Sequence, residues 1–411
     1  MKPNVSTVLP LTPTQQPDSN LPAPLLPVAP SEATQIEPVL SNRTATNSSM
    51  WMALGSSSSS VVDQHTAPEK SHRSMSASVV SDSATIDADV QFKLGVRYDK
   101  GEGVDVDKAK AFKWYQKAAN QGHINAQCKL ALMFDKGEGV EVNKAKAFEW
   151  YQKAAEQGDV ITQQIVAIMY TLGHGVAVNK AESFKWYQKA AKQGHAVAQF
   201  NVGVMYEYGK GVAVDKVKAF EWFQRAADQG QVDAQFNLAV MYFNGDGVAV
   251  DKANAVEWYR KAADQGYASA QFNLALMYDE GDGVAVDKAK AVDFYQRAAK
   301  QGHAVAQLNL ALTYFNGDGV TVDKAKAVEW YQNATDQGHA LAQFNLATMY
   351  ENGDGVEVDK VKAFEWYKKV AEQGYVAAQT KLSECYRDGV GVEKDLELST
   401  HWLLMSKSSR V

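Results

Sequence analysis

The chain has 411 residues, of which 45% are hydrophobic and 22% charged, a balance typical of globular proteins. Its 42 basic and 48 acidic residues divide into 4 and 8 over residues 1–89, which leaves 38 and 40 in the remainder. A body so close to neutral argues against a nucleic-acid or anionic-membrane surface. The two cysteines exclude a disulfide framework and fit a reducing compartment.

The N-terminal 87 residues differ from the rest in composition. All 10 prolines lie between Pro3 and Pro68, and 17 serines fall within residues 1–89. Large apolar side chains are too sparse there to offset the entropy lost on ordering the chain. We therefore predict a disordered Pro/Ser-rich region over residues 1–87. It acts either as a solubilising tail or linker, or as a recruitment or secretion signal.

Targeting signals are weak in this sequence. No run approaches the roughly 18 apolar residues of a membrane span, and the first residues contain one lysine but no continuous apolar signal segment. The sequence predicts no membrane span and a cytoplasmic location, with non-classical export left open.

From Val90 onwards the sequence repeats every 36 residues without insertion or deletion, and this repeat determines the domain organisation. Nine units make up residues 88–411: 90–125, 126–161, 162–197, 198–233, 234–269, 270–305, 306–341, 342–377 and 378–411.

The unit that begins at Ala270 illustrates the predicted local structure. Apolar residues recur at helical spacing over 270–280, which predicts an amphipathic first helix. Gly281 suits the left-handed conformation that ends a helix, and Gly283 continues the turn. Asp287 is a candidate N-cap for a second helix that runs to about Gln301.

Two such helices cannot enclose a core, so each unit must bury its apolar face on its neighbours. The predicted fold is all-α: an α-solenoid, a right-handed superhelix of helix-turn-helix units. Small residues at the sixth position of each unit, Tyr or Phe at the ninth and Trp at the twenty-fifth are assigned to the core. The last unit departs from the pattern at Leu396, Glu397 and Leu403, and is predicted to be a C-terminal cap.

Candidate chemistry is scarce. The recurring His123, His195, His303 and His339 are interpreted as polar residues at the start of the first helix, because neighbouring units lie about 8–10 Å apart and zinc bonds are about 2 Å long. Acids of the glycine loops are interpreted as a solvated edge. No catalytic constellation is found, so the sequence predicts no enzyme, no metal site and no cofactor.

The best functional candidate is a stripe along the first helices. It carries asparagines at the fourth position (Asn201, Asn237, Asn273, Asn309 and Asn345), methionines at the eighth (Met205, Met241, Met277 and Met349) and asparagines at the eleventh (Asn244, Asn316 and Asn352). Amide groups suit the backbone of an extended peptide, and methionines suit its varied side chains. The alternative is that the asparagines bond to the next unit and hold the stack together.

The pattern A-Q-F-N-L-A-x-M-Y-x-x-G-D-G-V-x-V-D resembles the Sel1-like repeat family, a relative of the tetratricopeptide repeat, over residues 90–411. The resemblance implies that the asparagines line a concave face and that the chain is a non-enzymatic scaffold or adaptor for a protein or peptide partner. The alternative is an exported bacterial effector or host-interaction protein that uses the same surface. A β-lactamase-like enzyme is disfavoured, because the family members so described resemble cysteine-rich secreted chains.

Overall fold

The computed structural model describes residues 87–408, which contain eighteen α-helices of 13 residues each and no strand. The first helices of the units are α1 (Ala88–Lys100), α3 (Ile124–Lys136), α5 (Val160–Leu172), α7 (Ala196–Tyr208), α9 (Val232–Asn244), α11 (Ala268–Glu280), α13 (Ala304–Asn316), α15 (Ala340–Asn352) and α17 (Val376–Asp388). The second helices are α2 (Lys108–Asn120), α4 (Lys144–Glu156), α6 (Lys180–Lys192), α8 (Lys216–Asp228), α10 (Lys252–Asp264), α12 (Lys288–Lys300), α14 (Lys324–Asp336), α16 (Lys360–Glu372) and α18 (Leu396–Ser408). The predicted all-α fold of repeated helix-turn-helix units is confirmed.

The described helices form two compact bodies. One holds residues 87–270 together with 282–284, and the other holds residues 271–281 and 285–408. The predicted disordered region and any signal within it lie outside the described residues, apart from Asp87.

The second helices begin where the sequence predicts, because an Asp or Asn stands at each N-cap. The carboxylate of Asp287 accepts a hydrogen bond of 3.0 Å from the backbone N–H of Lys290. This bond and the side-chain bond to Lys290 lower the pKa of Asp287 below its usual value. Asn143 caps α4 in the same way, through a bond of 2.9 Å from Lys146 N–H.

The first helices begin two residues earlier than predicted, as at Ala268 rather than Ala270. The reason is that the thirty-fourth residue of the preceding unit is the N-cap. His123 Nδ1 accepts from Ala126 N–H at 3.1 Å, and Asp159 accepts from Thr162 N–H at 2.8 Å. His195 and His303 cap their helices in the same way, and His339 occupies the N-cap position of α15.

Within a unit, the two helices approach closely at the sixth position. A Cβ atom added to Gly95 would lie 2.5 Å from the ring of Tyr115, and one added to Gly203 would lie 2.7 Å from the ring of Phe223. Both rings are fully buried. The small residues of this column are thus required by the ring of the second helix, which confirms their assignment to the core.

Between units, aromatic rings meet edge to face. Phe148 packs on Tyr170 and Phe184 packs on Tyr206, each with ring centroids 5.2 Å apart and planes near perpendicular. This is a favoured geometry for aromatic pairs. Where the twenty-third residue of a unit is phenylalanine, its ring therefore packs on the ninth residue of the next unit, whereas Val256, Val292 and Val328 stand at this position in three other units.

A second contact between units was not predicted from the sequence. The buried Gln127 donates from Nε2 to the carbonyl of Ala119 in the preceding unit at 3.2 Å, and its Oε1 accepts from Gln157 at 2.8 Å. The same chain of bonds recurs at Gln163 and Gln199. Glutamine at positions 2 and 32 of almost every unit was the available signal.

Candidate functional site

The predicted asparagine stripe lies on the first helices, but its members differ in burial. Asn237 is 5% exposed, Asn273 7% and Asn345 0%, whereas Asn201 and Asn309 are half-buried. At the eleventh position, Asn244 and Asn316 are exposed and Asn352 is half-buried. The fourth position is thus more buried than a fully exposed column of surface asparagines would be.

The hydrogen bonds of these asparagines also differ. Asn201 Nδ2 donates to Val197 O at 2.8 Å and Asn309 Nδ2 to Val305 O at 3.1 Å, both within the same helix. Asn345 Nδ2 donates to the hydroxyl of Tyr331, 3.3 Å away in the preceding unit. One alternative from the sequence is that these asparagines bond to a neighbouring unit and hold the stack together. Asn345 forms such a bond.

Asn237 and Asn273 differ from the other fourth-position asparagines in their hydrogen bonding. Among residues 87–408 neither side chain forms a hydrogen bond, although both are nearly buried. Most buried amides in proteins have a partner. Asn237, in the body that holds residues 87–270, and Asn273, in the other body, are therefore the fourth-position asparagines whose amides are not engaged by the described residues.

The four predicted methionines lie in the core. Met205, Met241, Met277 and Met349 are all buried. At 3.6 residues per turn, the eighth position is rotated about 40° from the fourth toward the core leucine, while the seventh and eleventh are rotated away from it. The surface beside the asparagines is therefore formed by the seventh and eleventh positions.

An apolar patch on helices α5 and α7 was missed by sequence reasoning. On α5, Ile161 and Leu172 are exposed, and Ile165 and Ile168 form the nearly buried part of the same stripe. On α7, Val197 is exposed at the equivalent of Ile161. The available signal was Ile165, which stands at the fourth position in place of an asparagine. This patch suits aliphatic side chains of a partner.

Basic side chains occupy the same stripe on α1 and α3. Lys93 and Lys129 stand at the fourth position and Lys136 at the eleventh. In the part of the chain that the structure describes, none of the three forms an ion pair, and Lys129 is half-buried. By contrast, Lys381 of α17 lies 3.4 Å from Glu351 and 3.6 Å from Glu384. The unpaired cations favour an acidic partner at α1 and α3.

One acidic group on α7 has an unusual pKa. Burial raises the pKa of Glu207 to about 7, and the bond with Tyr208 and the charges of Lys216 and Lys210 oppose the shift only in part. Its carboxyl group is therefore partly protonated near neutral pH. Perturbed groups of this kind occur at functional sites more often than elsewhere.

The two cysteines and the metal-ligating residue types are further candidates for chemistry. Burial raises the pKa of the Cys128 and Cys385 thiols to about 12, which disfavours a reactive thiolate. Residues 87–408 contain no group of three or more side chains arranged to hold a metal ion. None of the described helices combines the length and apolar character that crossing a bilayer requires.

The sequence predicts that the loop acids form a solvated edge. Three of them instead lie in ion pairs. Asp246 lies 2.5 Å from Lys216 Nζ, Asp282 lies 2.7 Å from Lys252 Nζ, and Asp354 lies 2.6 Å from Lys324 Nζ. Each pair joins a glycine loop to the second helix of the preceding unit. These half-exposed pairs contribute modestly to stability.

Comparison with known proteins agrees with this architecture. The family profile described as Sel1 repeat matches residues 88–123, 124–159, 163–195, 196–231, 232–267, 268–303, 304–339, 340–375 and 376–408. A Sel1 repeat protein from Oxalobacter formigenes is similar, with 33% identity and a TM-score of 0.61, over 72% of this chain and 86% of that one. A protective antigen of uropathogenic Escherichia coli with an SLR fold shares 35% identity over 79% of each chain, with a TM-score of 0.48.

No curated protein sequence matches this chain. The nine consecutive matches span nearly all the described residues, and each covers one pair of helices. The chain belongs to the Sel1 repeat family.

Proposed function

We propose that the chain is a non-enzymatic scaffold that binds a partner protein through an extended segment laid along its first helices. Sel1 repeat solenoids commonly mediate protein–protein interactions. The observation that carries the proposal is the nearly buried Asn237, in the body that holds residues 87–270, whose amide forms no hydrogen bond among the described residues. A peptide backbone has both the donor and the acceptor that such an amide requires.

The surroundings of the stripe indicate the chemistry of the partner. Unpaired Lys93, Lys129 and Lys136 favour carboxylates, and the exposed Ile161 and Leu172 favour aliphatic side chains. Both features lie within the body that holds residues 87–270. We propose a segment that combines acidic and aliphatic residues.

The test is selection of peptides from a random display library on the full chain, followed by affinity measurements on variants. Asn237→Ala should weaken the selected peptides about fivefold, from the loss of a hydrogen bond of about 0.5–1.5 kcal/mol. The thermal transition should remain nearly unchanged. Lys129→Ala should weaken acidic peptides more at low salt than at high salt.

Asn333→Ala is the matched control, because Asn333 is an exposed asparagine on the second helix α14. It should leave affinity unchanged. An Asn237→Ala variant that loses stability but keeps its affinity would show that Asn237 serves the stack and not a partner. Trp258→Ala calibrates the stability measurement, since Trp258 is buried and its removal should cost about 3–5 kcal/mol.

A further inference from the structure

The last helix, α18, exposes leucines along one side. Leu396, Thr400, Leu403, Leu404 and Lys407 follow the spacing i, i+4, i+7, i+8 and i+11, which places them on a single stripe. Leu396 is 68% exposed, Leu404 62% and Leu403 39%. We call these five residues the α18 face.

Two of these leucines replace polar residues of the other units. The eight other second helices begin with lysine where α18 has Leu396. At the position of Leu404 the other eight have glutamine, arginine or lysine, as in Gln116 and Lys368. The leucines are therefore not explained by the packing of a unit. A solvent-facing cap would keep the polar residues.

The α18 face does not suit a further repeat of the same kind. In the preceding unit, Phe364 anchors the next unit by packing edge to face on Tyr386, with centroids 5.4 Å apart. Thr400 stands in place of that phenylalanine. Lys407 takes the position that Ala371 has in the preceding unit. Ala371 is only 1% exposed, because the next helix covers it. The aromatic ring is not essential, because Val256, Val292 and Val328 take its place in three units that another unit follows, but a tenth unit would bury Lys407.

We infer that the α18 face binds the same face of a second copy of the chain, with the two helices antiparallel. Glu397 and Lys407 lie five residues before and five residues after Trp402. A twofold axis near Trp402 therefore places Glu397 of each copy beside Lys407 of the other. Neither residue has an opposite charge within ion-pairing distance among residues 87–408.

This arrangement satisfies the self-complementarity of a twofold interface, in which each contact occurs twice. The leucines are buried between the helices and two Glu397–Lys407 pairs close the edges. One helix from each copy buries less than the roughly 1,200–2,000 Å² of a standard stable interface, so the dimer is weak and concentration-dependent. The α18 face lies on a second helix, so the inference is independent of the proposed peptide site.

The first experiment measures the mass of the full chain by sedimentation velocity from about 1 to about 200 μM, the range in which weak interfaces titrate. The wild-type chain should shift from monomer to dimer. Leu396→Lys with Leu404→Lys should remain monomeric, with an unchanged circular dichroism spectrum because both residues are exposed. Val286→Lys is the control: it removes an exposed valine of a loop and should leave the dimer intact. A wild-type chain that stays monomeric throughout overturns the inference.

The second experiment tests the antiparallel pairing. Glu397→Lys and Lys407→Glu alone should each weaken the dimer about fivefold at low salt, because each replaces two symmetry-related attractive pairs by pairs of like charge. The double variant, Glu397→Lys with Lys407→Glu, should restore wild-type dimerisation. If the double variant is as weak as the single ones, the helices do not pair in this way.

Discussion

Gly230 and Gly247 both have left-handed backbone conformations, with φ of 85° and 71°, yet their surroundings differ. Nothing lies within 4 Å of a Cβ atom added to Gly230. A Cβ added to Gly247 would overlap the backbone carbonyl of Lys216, at the start of α8 in the preceding unit. Gly247, the second glycine of its loop, is therefore needed for the close approach of neighbouring units as well as for the turn.

This difference predicts unequal effects of two similar substitutions. Gly230→Ala should cost about 1–2 kcal/mol, the penalty of a side chain in the left-handed region. Gly247→Ala should cost about 1–3 kcal/mol more, because the loop or α8 must shift to relieve the overlap. Denaturant unfolding of both variants measures the free energies. Equal losses would show that the loop can move away from α8 freely.

At the scale of a helix, His303 determines how α13 begins. Its Nδ1 accepts the backbone N–H of Ala306 at 3.2 Å, and its ring stacks on Phe272 with centroids 4.7 Å apart. Burial lowers the pKa of His303 to about 4, because the protonated ring loses hydration. The neutral imidazole is therefore the form that caps the helix.

The stability of this cap should depend on pH. Between about pH 6.5 and pH 4 the unfolded chain binds a proton at this histidine and the folded chain does not, so stability falls as the pH is lowered through that window. Between pH 7 and pH 4.5 the loss is on the order of 2–3 kcal/mol, which is most of the roughly 3.4 kcal/mol of the complete pKa shift. Urea unfolding at pH 7 and at pH 4.5 measures it.

The matched variant is His303→Gln, because Gln231 already caps α9 through its side-chain oxygen and Ala234 N–H. The variant should retain the cap at pH 7 and lose less stability at pH 4.5 than the wild-type chain. An identical pH dependence in both proteins would place the titrating groups elsewhere, for example at His195, whose pKa is also lowered by burial.

At the scale of the molecule, the same contacts recur every 36 residues within each body. In the body that holds residues 87–270, the rings of Phe184 and Phe220 each pack on the ring of the next unit at 5.2 Å. The glutamine bonds repeat in the same register. Neighbouring units are therefore nearly interchangeable at their interfaces.

Interchangeable interfaces predict the outcome of a deletion. Removal of residues 198–233, one whole unit, brings Tyr242 to the place of Tyr206 beside Phe184, and it removes Gly203 together with its partner Phe223. The shortened chain should fold with the same helix content per residue and a slightly lower melting temperature. Removal of residues 198–215 alone deletes a first helix and should unfold the neighbouring units. Circular dichroism melts of the two deletions decide between these outcomes.

Much of the architecture follows from the sequence alone. The 36-residue period, the helix pairs, the N-caps such as Asp287 and the core rings such as Tyr115 were predictable, because capping and amphipathic periodicity depend on residues within about one or two helical turns. The family assignment rests on the same local pattern repeated nine times.

Only the tertiary structure showed the contacts between residues about 30 positions apart in the sequence. It showed that Gly247 is required by the carbonyl of Lys216 and that Gln127 joins Ala119 to Gln157. It placed the methionines of the predicted stripe in the core, because the rotation of a helix against its neighbours determines which residues remain exposed. It also showed that the leucines of α18 face outward. The period and composition of a sequence show how residues are spaced along a helix. The helices that pack against that helix determine which of its sides remains exposed.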